Sequence, residues 1–93
     1  MGKYFVDITD NAKEDIRFWH KVGDKAVLLK IKRILFELSV HPTEGTGKVE
    51  SLRGNFAGCW SRRLNKQHRI VYEINDSTVT VLVLSLRGHY GDS

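Results

Sequence analysis

Between residues 58 and 87 the chain repeats one pattern three times: a run of apolar and β-branched residues, then a few polar turn formers. The runs cover 58–64, 68–74 and 78–87, and the gaps between them are Asn65-Lys66-Gln67 and Asn75-Asp76-Ser77. Gaps this short join antiparallel neighbours, because a parallel pairing needs a crossover of about a dozen residues or more. The C-terminal half is therefore expected to form a β-meander. The last run, "TVTVLVLSL", is apolar at nearly every position and is expected to be a central strand. A chain of 93 residues has room for one core, so a single domain over residues 1–93 is expected.

The N-terminal half supplies what covers that sheet. Residues 3–8 form a short strand candidate, and Thr9 stands where an N-cap would open a helix, with Asp10 and Glu14 near its positive end. Ala12, Ile16, Trp19 and Val22 give that helix an apolar face, and Gly23 ends it. Asp24 can cap a second helix whose core stripe is expected to be Leu28, Ile31, Leu35 and Leu38, stopped by His41-Pro42. Residues 43–51, "TEGTGKVES", read as loop. The architecture is α+β, with a helical hairpin on one side of a sheet.

The meander carries an unusual amount of positive charge, and strand alternation sorts it. Three-residue turns place Arg63 opposite Arg69 and Ile74 opposite Thr78. Trp60, Leu64, Ile70, Tyr72, Ile74, Leu82 and Leu84 then share a core face that also takes Arg62. Ser61, Arg63, Arg69, Val71, Val83, Ser85 and Arg87 share the other, with His89 in line if the last strand runs on. A surface holding Arg63, Arg69, Arg87 and His89 suits phosphate, since guanidinium forks donate paired hydrogen bonds and imidazole exchanges a proton near neutrality. Arginine cannot act as a base, so a carboxylate from the preceding loop is needed, and Glu50 and Glu44 are the candidates. Exposed strand arginines also serve simply to block edge pairing or aid solubility.

Other patterns exclude more than they suggest. The "GTGK" at 45–48 is no nucleotide loop, because Pro42 and Val49 stand where a P-loop needs Gly and Ser or Thr. The four histidines, His20, His41, His68 and His89, lack metal-ligand spacing, so neither a metal nor another cofactor is expected. His68 reads as a residue flanking a turn, and Cys59 as a small strand side chain rather than a nucleophile. Tyr90, near a polar end, could stack on a base or reach a phosphate. Fifteen Lys and Arg against eleven Asp and Glu give a net charge of +4, compatible with a polyanionic partner without requiring one. A lone cysteine, no signal-peptide pattern and no membrane-length apolar run point to a cytoplasmic protein.

The stretch "HPTEGTGKVESLRGNFAGCWSRRLNKQHRIVYEI" and the closing His-Tyr strongly resemble the YoeB/Txe branch of the RelE/ParE toxin superfamily. The resemblance runs over essentially the whole chain and is carried by four ordered motifs: the P-x-E-G-x-G-K loop, G-x-W-S-R-R, H-R-[LIV]-V-Y and the terminal His-Tyr. It implies a two-layer β-α-α-β-β-β-β fold with the helical hairpin on a mostly antiparallel twisted sheet. It also implies a ribosome-dependent endoribonuclease that cuts messenger RNA without a cofactor, using Glu50 as general base, Arg69 as the phosphate-binding arginine, His89 as general acid and Tyr90 as a supporting aromatic. Arg63, Arg53, Lys48 and Arg87 would bind phosphate or substrate. The implied partners are a YefM/Axe-like antitoxin with an acidic segment, the bacterial ribosome with its message, and in some members a second copy of the toxin. The chain departs from the family pattern in Gly88 before the His-Tyr pair and in Gly91-Asp92-Ser93 after it. Non-catalytic toxins of the same fold, such as topoisomerase inhibitors, and a plain RNA-binding module are the competing classes; neither would need the Glu50, Arg69, His89 set.

Overall fold

The computed structural model describes residues 3–88. Strand β1 (Phe5–Ile8) is followed by helices α1 (Asp10–Val22) and α2 (Lys25–Val40), a two-residue strand β2 (Glu50–Ser51), a 3-10 turn (Gly54–Phe56), and strands β3 (Cys59–Arg63), β4 (Arg69–Asn75) and β5 (Thr80–Ser85). The sheet order is β1-β5-β4-β3-β2, with β1 parallel to β5 and the other pairs antiparallel. The expected order is thus present, and β5 is internal, between β1 and β4. The strand β2 falls at the end of the stretch whose composition reads as loop.

Both helix starts are where the capping residues put them. The Thr9 hydroxyl accepts from the Ala12 N–H and the Asp24 carboxylate from the Val27 N–H, each satisfying an amide that has no helical partner. Gly23 ends α1 in the left-handed conformation that a side chain would disfavour, and its N–H donates to the Trp19 carbonyl. The buried faces differ from the expected ones. On α2 the fully covered residues are Val27, Ile31, Ile34 and Leu38, while Leu28 and Leu35 are only partly covered. On α1 they are Ala12, Asp15 and Trp19, and Val22 is exposed. Apolar residues surround most of α2, so periodicity alone does not set its rotation on the sheet, and Leu29 and Phe36 are left 70% exposed.

The first hairpin has the expected register, Arg63 opposite Arg69 and Trp60 opposite Tyr72. The second does not. Asn75 pairs with Thr80 and Ile74 with Val81, so the turn is one residue longer than expected, with Val79 at φ 53°. The turn, residues 76–79, also starts one residue later than expected, so Ile74 faces Val81 instead of Thr78, and this odd displacement moves every following side chain to the opposite face. Val81 and Val83, not Leu82 and Leu84, therefore enter the core with Tyr4, Val6 and Ile8. A β-bulge then shifts the register again: Tyr72 pairs with Val83 but Val71 with Ser85, which leaves Leu84 without a partner on β4. The Leu84 carbonyl accepts instead from the Thr9 hydroxyl and the Asn11 side-chain amide, each at 3.2 Å. The bulge is thereby tied to the first turn of α1.

Arg62 lies on the core face, as the alternation predicts, with no exposure at all. Its Nη1 donates to Glu37 Oε1 at 2.7 Å and to the Thr46 carbonyl at 3.4 Å, Nη2 to the carbonyls of His41 and Glu44 at 2.6 and 2.9 Å, and Nε to the Tyr72 hydroxyl at 3.1 Å. Tyr72 in turn donates to the Pro42 carbonyl at 2.6 Å. Glu37 completes the knot by accepting from the Thr46 N–H and hydroxyl, each at 2.8 Å. The two loop glycines make this closeness possible. A Cβ on Gly45 would stand 2.4 Å from Glu37 Oε1, and one on Gly47 would stand 2.8 Å from the Arg63 carbonyl oxygen. The glycines of "GTGK" thus serve packing around Arg62.

Arg62→Met would leave Glu37 and three carbonyls without their donor, and the expected loss is about 3 kcal/mol or more, read from urea unfolding midpoints. Glu37 also gives a pH signature. Burial alone would push its carboxyl up, but the Thr46 amide and hydroxyl and the Arg62 guanidinium more than reverse this, so it lies below its ordinary value. A depressed carboxyl contributes stability above the unfolded-state value, and that contribution disappears as pH falls through the folded one. The parent should therefore lose stability on acidification below the ordinary glutamate range more steeply than Glu37→Gln, which should start less stable and vary less over the same window.

Candidate active site

Residues paired across a sheet project to the same side, and so do residues two apart on one strand. Glu50 on β2 pairs with Ser61 on β3, and Ser61 pairs with Val71 on β4. Two residues along, Arg63 pairs with Arg69. These five side chains share the face opposite the one on which Arg62 and Tyr72 join the helices. Glu50 and Arg69, two strands apart, meet diagonally: Arg69 Nη1 lies 3.1 Å from Glu50 Oε1. The arginine side chain is only 17% exposed and the glutamate 44%, so the guanidinium is held against the sheet while the carboxylate faces solvent. Between them Ser61 is fully buried, and among the described residues its hydroxyl has no hydrogen-bond partner.

The loop before β2 places Glu50. Its backbone is fixed on the core side by the carbonyls that Arg62 draws in, and on the β3 side by a hydrogen bond from the Arg63 N–H to the Gly47 carbonyl. Lys48, at φ 50° and exposed, and Arg53, exposed at the start of the 3-10 turn, flank β2 on either side. Neither side chain is engaged with the Glu50–Arg69 pair. Glu44, the other candidate carboxylate, is exposed and lies 3.7 Å from His41 Nδ1, apart from that pair. Arg87 is placed differently from Arg63 and Arg69: its guanidinium stacks 3.7 Å from the centre of the Phe18 ring on α1. His89 and Tyr90 lie outside the described residues.

Two groups were not legible as site neighbours. His68 does flank the β3–β4 turn, but its Nδ1 also accepts from the Gly88 N–H at 2.9 Å. Asp15, on α1, is buried and accepts from the Leu86 N–H at 2.9 Å. Both contacts reach the end of β5 from elements distant in sequence, and no local pattern marks them. Cys59 is buried, and burial, followed by the charge of Glu73, pushes its thiol above the ordinary value, which fits an inert strand residue. In chemical terms the open face presents a hydrogen-bond-accepting carboxylate and two guanidinium forks within one small patch, which can receive a proton and hold an oxyanion side by side.

Comparison with known proteins assigns the chain. Residues 8–90 match the family model described as YoeB-like toxin of bacterial type II toxin-antitoxin system. Toxin YoeB of Mycobacterium bovis is 39% identical over 85 residues, covering 91% of this chain and 96% of that protein. The solved YoeB/ParE toxin from Agrobacterium tumefaciens superposes with a TM-score of 0.84 at 34% identity, covering 92% of this chain and 99% of its own. A YoeB chain in the heterotetrameric YoeB-YefM toxin-antitoxin complex from Staphylococcus aureus superposes with a TM-score of 0.77 at 32% identity, covering 94% and 98%. With the family model spanning residues 8–90 and its relative covering nine-tenths of the chain, this protein belongs to the YoeB-like toxins of bacterial type II toxin–antitoxin systems.

Proposed function

We propose that this toxin is an endoribonuclease that cuts messenger RNA during translation on the bacterial ribosome. The observation that carries this reading is the Glu50–Arg69 pair at 3.1 Å with Arg63 in register beside it, a base and phosphate-holding forks on one open face. Glu50 takes the proton of a ribose 2′-OH, and the oxygen so freed attacks the adjacent phosphorus. Arg69 and Arg63 hold the non-bridging oxygens and stabilise the charge that builds on them. As the bond from phosphorus to the 5′-oxygen breaks, His89 gives that oxygen a proton, with Tyr90 supporting the arrangement. The products are a 2′,3′-cyclic phosphate and a free 5′-hydroxyl. The nucleophile is part of the substrate, so the reaction asks for no metal-activated water. Lys48 and Arg53, on the loops flanking β2, add contacts to the message.

In the free protein Glu50 occupies the Arg69 fork, so binding of a phosphate at Arg69 releases the carboxylate for its role as base. Neutralisation by a cognate antitoxin is supported by the similarity to the YoeB chain of the YoeB-YefM complex, and an acidic antitoxin segment suits the basic residues of this face.

Glu50→Gln and His89→Gln should each lower the rate of cleavage of ribosome-bound message by about 10²- to 10⁴-fold with unchanged thermal unfolding, measured by mapping 5′ ends in a reconstituted translation reaction. Parent-like cleavage by both would refute this mechanism. Arg69→Lys keeps the charge but loses the planar fork, and should still fall by about tenfold or more, whereas a site needing only positive charge would tolerate it.

A further inference from the structure

The segment leading to His89 is held at each described residue. Leu86 donates its N–H to Asp15 Oδ2 and accepts at its carbonyl from Trp19 Nε1, both at 2.9 Å. Arg87 stacks on Phe18. Gly88 accepts at its carbonyl from the Arg69 N–H at 3.2 Å and donates its N–H to His68 Nδ1 at 2.9 Å. The ladder of β5 ends at Ser85, so this last amide has no strand partner, and the imidazole supplies one.

The His68 ring is well fixed for that purpose. Its backbone closes the β3–β4 turn, with the Leu64 N–H on its carbonyl at 2.9 Å and its own N–H on Asn65 Oδ1 at 2.7 Å. The ring meets Trp19 edge to face, centroids 5.2 Å apart at 82°. Gly88, in the bend that follows β5, sits at φ 94°, a conformation that only a glycine takes easily. Such a residue has little stiffness of its own, so its direction is set by what holds it.

We propose that His68 is a positioning residue for the general acid: by accepting the Gly88 N–H it fixes the direction in which the chain enters His89. This rests on the reading of His89 as the acid. His68 and Arg69 are consecutive, so one strand start carries both the fork that holds the phosphate and the acceptor that orients the proton donor. That strand start thus holds Gly88, the residue before the acid, by two hydrogen bonds, one from the Arg69 N–H and one to the His68 ring. Loss of the His68 bond loosens Gly88 ahead of the acid, and a displacement of about 1 Å at a reacting group costs about 10²-fold in rate.

The test compares His68→Phe, which keeps a ring against Trp19 but no acceptor, with His68→Asn, which keeps an acceptor near the Nδ1 position but no ring. On ribosome-bound message His68→Phe should lose about 10- to 100-fold in kcat with little change in KM, and His68→Asn should recover most of it. In the His89→Gln background, His68→Phe should cost nothing further, because it acts only through that residue. Parent-like turnover of His68→Phe, or a further loss in the double variant, would overturn the proposal while leaving the mechanism standing. Full activity of His89→Gln alone would instead remove His89 as the acid, and this inference with it. Hydrogen exchange at the Gly88 amide in a Glu50→Gln background gives a readout independent of turnover: it should be slow with His68 and fast with Phe, and unchanged exchange would also overturn the proposal.

Discussion

A fully buried guanidinium organises this fold. Arg62 reaches from the middle of β3 through the core layer to the end of α2, and its donors are taken by Glu37, by Tyr72 and by three carbonyls of the loop that follows the helix. An unpaired charge in that position would cost several kcal/mol, so the loop, the helix end and the strand are bound to form together. That same loop runs directly into β2. The neighbour of Arg62 in sequence, Arg63, projects the opposite way, next to Arg69, and its backbone pairs with Gly47 of the loop. Two adjacent arginines thus act on opposite sides of one strand: the first fixes the loop that delivers Glu50, and the second lies beside the group Glu50 meets.

Much of the architecture could be read from local chemistry. Thr9, Gly23 and Asp24 bound the helices because capping is decided by a few atoms within one turn. The first hairpin's register followed from its turn length, and with it the separation of Arg62 from Arg63 and Arg69. The second hairpin failed for the same reason in reverse. A turn one residue longer, with Val79 at positive φ, inverted the faces of β5, and a β-branched residue in that conformation leaves no compositional sign. The bulge opposite Val71 and Tyr72 is set by tertiary contacts, the hold of Thr9 and Asn11 on the Leu84 carbonyl. The rotation of α2 was likewise undecidable from a helix with apolar residues on most of its surface.

The site divides in the same way. Glu50, Arg63 and Arg69 come together through strand pairing, which period-two alternation describes. The partners of Arg62 and His68 were hidden because they lie across layers. Glu37 sits on a helix twenty-five residues earlier, and Gly88 on a different strand end twenty residues later. A buried arginine announced itself by parity, but nothing in its neighbourhood named its counterion.

The loop after α2 is gripped almost entirely by its main chain. Carbonyls of His41, Pro42, Glu44, Thr46 and Gly47 take the hydrogen bonds, and of the side chains only Thr46 is drawn in among them. Thr43, Glu44 and Lys48 are exposed, and their side chains take no part in the hydrogen bonds around Arg62. A backbone held in this way keeps its path, and the carboxylate at its end keeps its place, whatever its exposed side chains engage. The outward side chains of this loop are thereby left for contacts beyond the fold, while Gly45 and Gly47 are held to glycine by the closeness of Glu37 and Arg63.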